Sequence, residues 1–79
     1  MNKIELENEL NRRGIRPDAY DLNGFLLDDR IVLEHDGRGY VVFYYERGIR
    51  RNERLFILEE QACRDVLDRL MMDRSAFSR

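Results

Sequence analysis

Few side chains in this sequence have the types and spacing that catalysis requires. Glu34, His35 and Asp36 are consecutive, and Cys63 is the only thiol. Neighbours along a strand point to opposite faces, so Glu34 and His35 do not converge, and no serine, threonine or second cysteine lies nearby as a nucleophile. One histidine and one cysteine also fall short of a zinc ligand set or an internal disulfide. We therefore predict no catalytic, cofactor-binding or metal site and expect that the protein is not an enzyme.

Arginine supplies thirteen of the fourteen basic residues. Four of them surround one predicted hairpin, where they have the chemistry to hold phosphates: Arg47, Arg50, Arg51 and Arg54. Glu46 and Glu53 lie in the same segment and can pair with them, and the net charge of the chain is −2. This balance favours a solvated, self-paired hairpin over a nucleic-acid site, so RNA binding is kept only as an alternative.

The elements that position these residues begin with a helix over residues 3–13. Asn2 and Glu5 have the spacing of a capping box, and Gly14 is suited to the left-handed conformation just beyond a helix end. Residues 17–25 have the composition of turns, with Tyr20 and Leu22 as expected anchors onto the core.

Three strands of an antiparallel meander are predicted next, from β-branched and aromatic residues separated by glycine-containing turns: 30–35, 40–46 and 54–58. From Glu59 the apolar period changes to that of an amphipathic helix ending near Asp73, with a frayed end after it. Leu58 departs from the small polar residue that usually caps a helix start.

The predicted fold is α+β, in the order α-β-β-β-α, with a three-stranded antiparallel sheet covered on one face by two helices. Seventy-nine residues, 43% hydrophobic and 38% charged, fit one compact domain over residues 1–79. The N-terminal residues have no apolar run of the kind found in signal peptides or membrane anchors, so we expect a cytoplasmic protein with no membrane partner.

The second sheet face is the predicted interaction surface. A two-residue turn within residues 36–39 leaves an aromatic and basic set on the face away from the helices. The same pairing places six residues on the helix-covered face: Ile31, Leu33, His35, Tyr40, Val42 and Tyr44. The predicted partner-binding residues are an aromatic and apolar centre with arginines around it: Arg30, Val41, Phe43, Tyr45, Arg47, Arg50 and Arg51. Two alternatives cover the same face without a foreign partner, namely a homodimer or a loop within residues 15–27 that folds across it.

Three stretches of the sequence resemble a group of small bacterial proteins: "GIRPDAYDLNG", "RIVLEHDGRGYVVFYYERG" and "RLFILEEQACRDVLDRL". These proteins are found beside secreted polymorphic or contact-dependent toxins and are thought to act as immunity proteins. The resemblance covers the chain from about Ile4 to Met72, and "YYERG" and "EEQAC" are its most distinctive pieces.

The resemblance implies a stoichiometric cytoplasmic inhibitor that binds a cognate toxin domain and blocks it. An exposed aromatic and charged surface suits such a role. A homodimeric structural or regulatory domain, and an RNA-binding accessory domain, are the alternatives from other functional classes.

Overall fold

Helix α1 spans Lys3–Arg12 in the computed structural model, which describes residues 1–77 of the chain. The predicted capping box is present, because the side chain of Asn2 accepts from the Glu5 amide and the side chain of Glu5 accepts from the Asn2 amide, each at 2.9 Å. Gly14 follows the helix with φ at 78°, in the left-handed region, as its position predicted.

The sheet has four strands in the order β1-β2-β3-β4: Tyr20–Asp21, Arg30–His35, Tyr40–Glu46 and Ile49–Phe56. β2 and β3 have the predicted bounds and pair antiparallel, as do β3 and β4. β1 pairs parallel with β2, so the prediction of three wholly antiparallel strands is wrong. A two-residue strand carries no alternation that a sequence can reveal, and the eight residues between β1 and β2 are fewer than a parallel connection usually needs, so no sequence pattern indicated this pairing.

Strand β4 begins at Ile49, well before the predicted start at Arg54. Arg47 and Gly48 both have positive φ, 51° and 79°, which is the signature of a tight two-residue hairpin turn. β4 lies at the sheet edge, where charged residues are exposed on both faces and show no hydrophobic alternation. A bulge opposite Phe43 takes up the extra residue of this strand.

Helix α2, Glu59–Met71, packs with α1 against one face of the sheet. The two helices and two central strands share one core, whose fully buried members include Leu6, Leu10, Leu33, Val42, Val66 and Leu70. Burying each such side chain stabilises the fold by about 1.5–3 kcal/mol relative to exposure. The predicted α+β class is confirmed. Ile31, Leu33, Tyr40 and Val42 pack on the helix-covered face as predicted, whereas His35 is exposed at the end of β2.

The chain after α2 is ordered over the described residues rather than frayed as predicted. Residues 74–76 form a 3-10 turn that buries Ala76, and Phe77 bridges to Ile15. The amide of Arg16 also donates to the Ala76 carbonyl at 2.7 Å. The last part of the predicted frayed end, residues 78–79, lies outside the described residues.

Leu58 is the residue before α2 and makes no side-chain cap, as its type implied. Glu59 instead accepts from the Lys3 amide at 3.1 Å, which links the starts of the two helices. Over residues 1–77, neither helix has the length and apolar character needed to cross a bilayer.

Candidate interaction surface

The sheet face opposite the helices carries the residues that the register predicted for it. Val32 pairs with Phe43, Arg30 with Tyr45, and Glu34 with Val41. However, Phe43 is 0% exposed and Val41 only 5%. The prediction that these two side chains lie on an exposed surface is therefore wrong, because they form a second small core with Val32.

Arg50 closes this second core. Its guanidinium lies over the Phe43 ring, 4.4 Å from the ring centroid, and Tyr45 approaches the same ring edge-on at 6.3 Å between centroids. Arg50 is fixed there by Glu34 at 3.2 Å and Glu53 at 3.5 Å. The sequence missed this cover because it placed Arg50 in a turn, whereas the longer β4 brings it directly beside Tyr45.

Hydrogen bonds from Arg50 keep its charge in place over the aromatic ring. Burial by itself lowers the pKa of the guanidinium, but the hydrogen bonds to Glu34 and Glu53 outweigh it and raise that pKa. Arg50 is therefore held over Phe43 by contacts within the fold, while 38% of its side chain is exposed and accessible to a partner.

The loop over residues 22–29 also contacts this face, near the Glu34 side chain of β2. Gly24 lies close to the side chain of Glu34, since a Cβ there would be 3.5 Å from Glu34 Cγ. This contact agrees in part with the alternative given above, in which a loop within residues 15–27 folds across the face. Neither Val41 nor Phe43 needs a second copy of the chain to be shielded from water.

Arg47 and Arg51 are the predicted interface residues that remain most available. Both are exposed, and neither forms an ion pair with any residue in the part of the chain that the structure describes. Arg47 occupies the hairpin tip, while Arg51 pairs with Tyr44 and therefore points to the helix side of the sheet. Tyr45 is half-buried, pairs with Arg30 and lies on the opposite face of the hairpin from Arg51.

Arg30 is more enclosed than predicted. Its side chain donates to the Tyr20 carbonyl at 3.5 Å, and its Nε is buried without a hydrogen-bond partner among residues 1–77. The guanidinium therefore ties β2 to β1. The predicted set is thus divided: Val41 and Phe43 are core, Arg30 and Arg50 support the fold, and Tyr45, Arg47 and Arg51 form the exposed end of the hairpin, which we call the hairpin end.

Tyr44 adds a neighbouring feature that the sequence did not single out. Its hydroxyl donates to Asp29 at 3.2 Å or to Glu46 at 3.4 Å. Partial burial, followed by the nearby Asp29 carboxylate, raises the pKa of this phenol. The contact fastens the hairpin end to the loop that precedes β2.

The residues first considered for chemistry are used structurally. His35 stacks on Tyr40 with ring centroids 4.5 Å apart, while Glu34 pairs with Arg50 on the opposite face. Cys63 is fully buried, and burial raises the pKa of its thiol.

A second exposed feature was missed by the sequence reasoning. Phe25 and Leu27 lie in the loop over residues 22–29 with 71% and 44% of their surface exposed, beside a groove formed with α1. The available signal was the run "FLL" after an Asn-Gly turn, because apolar residues in a turn-rich loop lack a strand or helix that would bury them.

No protein-family model, no curated protein and no solved structure matches this chain.

Proposed function

We propose that the protein is an immunity-type binding protein, which neutralises a cognate bacterial toxin domain in the cytoplasm by forming a one-to-one complex. The observation that carries this proposal is the hairpin end, where Arg47 at the tip and Arg51 on the helix side of β4 are exposed and form no ion pair within residues 1–77. The half-buried Tyr45 lies on the other face of the same hairpin. Arginine and tyrosine are the side chains most enriched among residues that dominate binding energy at protein interfaces.

The position of the hairpin end also suits recognition. A two-residue turn with positive φ at Arg47 and Gly48, together with the contacts of Tyr44, fixes the backbone of the hairpin, so little backbone entropy is lost when a partner binds. Its positive charge favours a partner with an acidic surface and accelerates their encounter. The resemblance to immunity proteins supports the choice of a toxin domain as that partner.

The experiment is co-expression of this chain with the C-terminal domain of a secreted toxin, taken from the gene upstream of its own if that gene encodes one. We expect cells to survive induction of that domain only when this chain is present, and a one-to-one complex to elute on size exclusion with multi-angle light scattering. Survival without this chain, or the absence of a complex when the domain is toxic, would contradict the proposal. A stable dimer of this chain alone would instead favour the homodimeric domain.

A further inference from the structure

A groove of about 470 Å³ separates α1 from the loop over residues 22–29. We call it the α1 groove. Its walls combine carboxamide, carboxylate and aromatic side chains, among them Glu7, Asn8, Asn11, Tyr20, Phe25 and Leu27. A groove of this size and mixed polarity accommodates a few residues of an extended peptide, and it lies outside the hairpin end described above.

The shape of the α1 groove is set by Asp21 at its base. This carboxylate is 95% buried, with 5% exposed, and accepts hydrogen bonds from the Asn23 amide at 3.1 Å and the Leu26 amide at 2.9 Å. Leu26 is held with φ at 59°, a left-handed conformation that is costly for a branched side chain. The loop therefore presents Phe25 and Leu27 outward in a preformed arrangement instead of collapsing onto the core.

The polar side chains that helix α1 contributes to the α1 groove are exposed to solvent, so a partner can bind them in place of water. Within residues 1–77, the side chains of Asn8, Asn11 and Glu7 make no hydrogen bond or ion pair. A carboxamide offers both a donor and an acceptor, which matches the backbone of an extended peptide. Asn8 and Asn11 are three residues apart on α1 and so lie on the same side of the helix.

The charge around the α1 groove favours a cation. The charged residues that line the groove are Glu7, the buried Asp21 and Arg30, which sum to −1. Arg12 and Arg13 pair with Glu9 and are not part of this lining. The carboxylate of Glu7 is the source of this negative charge. It also acts on Tyr20, because burial first and the charge of Glu7 second raise the pKa of the Tyr20 phenol. The exposed Phe25 ring adds a face on which a guanidinium or ammonium group is stabilised.

We propose that the α1 groove binds an extended segment of a partner protein that carries an apolar residue next to an arginine or lysine. The apolar side chain contacts Leu27, the cation lies between Glu7 and the Phe25 ring, and the two asparagines bind the backbone. This inference rests on the proposed function in one respect, which is that the segment belongs to the toxin domain. The chemistry of the segment follows from the α1 groove alone.

The test uses the isolated chain, labelled with ¹⁵N, and three capped tetrapeptides: Ac-Gly-Leu-Arg-Gly-NH₂, its glutamine analogue and its glutamate analogue. We expect saturable amide shifts in the millimolar range with the arginine peptide, centred on Asn8, Asn11 and Phe25. The glutamate peptide should bind at least tenfold more weakly, with the glutamine peptide between them. Shifts that do not saturate, or that are equal for the three peptides, would overturn the proposal.

Two variant pairs test the assigned contacts. Glu7→Gln and Phe25→Ala should each weaken the arginine peptide about threefold or more. The matched controls Glu60→Gln and Ile57→Ala change exposed residues outside the α1 groove and should leave the affinity unchanged. Equal effects of a variant and its control would overturn the assignment. The peptide titration contains no toxin domain, so its result is independent of the proposed function. Peptide binding together with failure to form a toxin complex would refute only the proposed function. A toxin complex together with failure to bind the peptides would refute only the peptide-binding role of the α1 groove.

Discussion

At the scale of single residues, the burial of Phe43 depends on its contact with Arg50, which the sequence pattern did not predict. The alternation of β3 correctly puts Phe43 and Tyr45 on the face away from the helices. Patterning could not show that Arg50 covers Phe43, because that contact depends on where β4 begins. The composition predicted that this face is aromatic and basic. The pairing of β3 with β4 shows which of its residues are buried, such as Phe43, and which are exposed, such as Arg47.

Phe43→Ala should destabilise the fold instead of acting only on partner binding. The side chain is fully buried, and loss of a buried phenylalanine costs about 3–5 kcal/mol because it removes contacts and leaves a cavity. Tyr45→Ala, at a half-buried position, should cost about 1 kcal/mol. Urea unfolding followed by circular dichroism measures both. Equal, small losses for the two variants would show that Phe43 is not core.

Cys63 should react with thiol reagents only when the protein unfolds. The thiol is fully buried and its pKa is raised by burial, so at pH 8 the thiolate that reacts is scarce and inaccessible in the native state. We expect labelling by Ellman's reagent to be roughly a hundredfold or more slower in buffer than in concentrated urea. Complete labelling of native protein within seconds would contradict this placement of α2.

At the scale of elements, the sequence was most informative where apolar periodicity is strong. The two helices and the central strands β2 and β3 follow from their patterns, whereas β1 and most of β4 do not. β1 has two residues, and β4 is an edge strand whose charged side chains are solvated on both faces. Edge strands are defined by backbone pairing with a neighbour, which side-chain alternation does not report.

The close approach of β3 and β4 next to the first hairpin makes Gly39 sensitive to substitution. A Cβ at this position would lie 2.3 Å from the Phe56 carbonyl oxygen, so Gly39→Ala must push the two backbones apart. We expect a loss of about 2–3 kcal/mol in the free energy of unfolding.

Gly37→Ala is the matched control, because Gly37 has φ at 87° but open space around it. It should cost only about 1 kcal/mol, from the backbone conformation alone. A smaller loss for Gly39→Ala than for Gly37→Ala, measured by urea unfolding, would contradict the observed pairing of Tyr40 with Phe56.

At the scale of the whole molecule, two exposed surfaces with different charge lie on one small scaffold. Among residues 1–77, the arginines of the hairpin end form no ion pair, and neither does the carboxylate of Glu7, which lines the α1 groove together with the exposed Phe25. Arg30, which lines the groove and pairs with Tyr45, connects the two. A partner that contacts both surfaces needs acidic and basic regions in a matching arrangement, which restricts the proteins that bind tightly.

The measurement that tests the central claim most directly is the affinity of the purified chain for the proposed toxin domain, by isothermal titration calorimetry. The variants are Arg47→Ala with Arg51→Ala, and the control is Arg64→Ala, an exposed arginine on α2. We predict a one-to-one complex that the double variant weakens at least tenfold, since interface arginines commonly contribute more than about 1 kcal/mol each, while the control binds like the unmodified chain. Equal affinity of the double variant and the control would contradict binding through the hairpin end, and no detectable heat with an active toxin domain would contradict the immunity function itself.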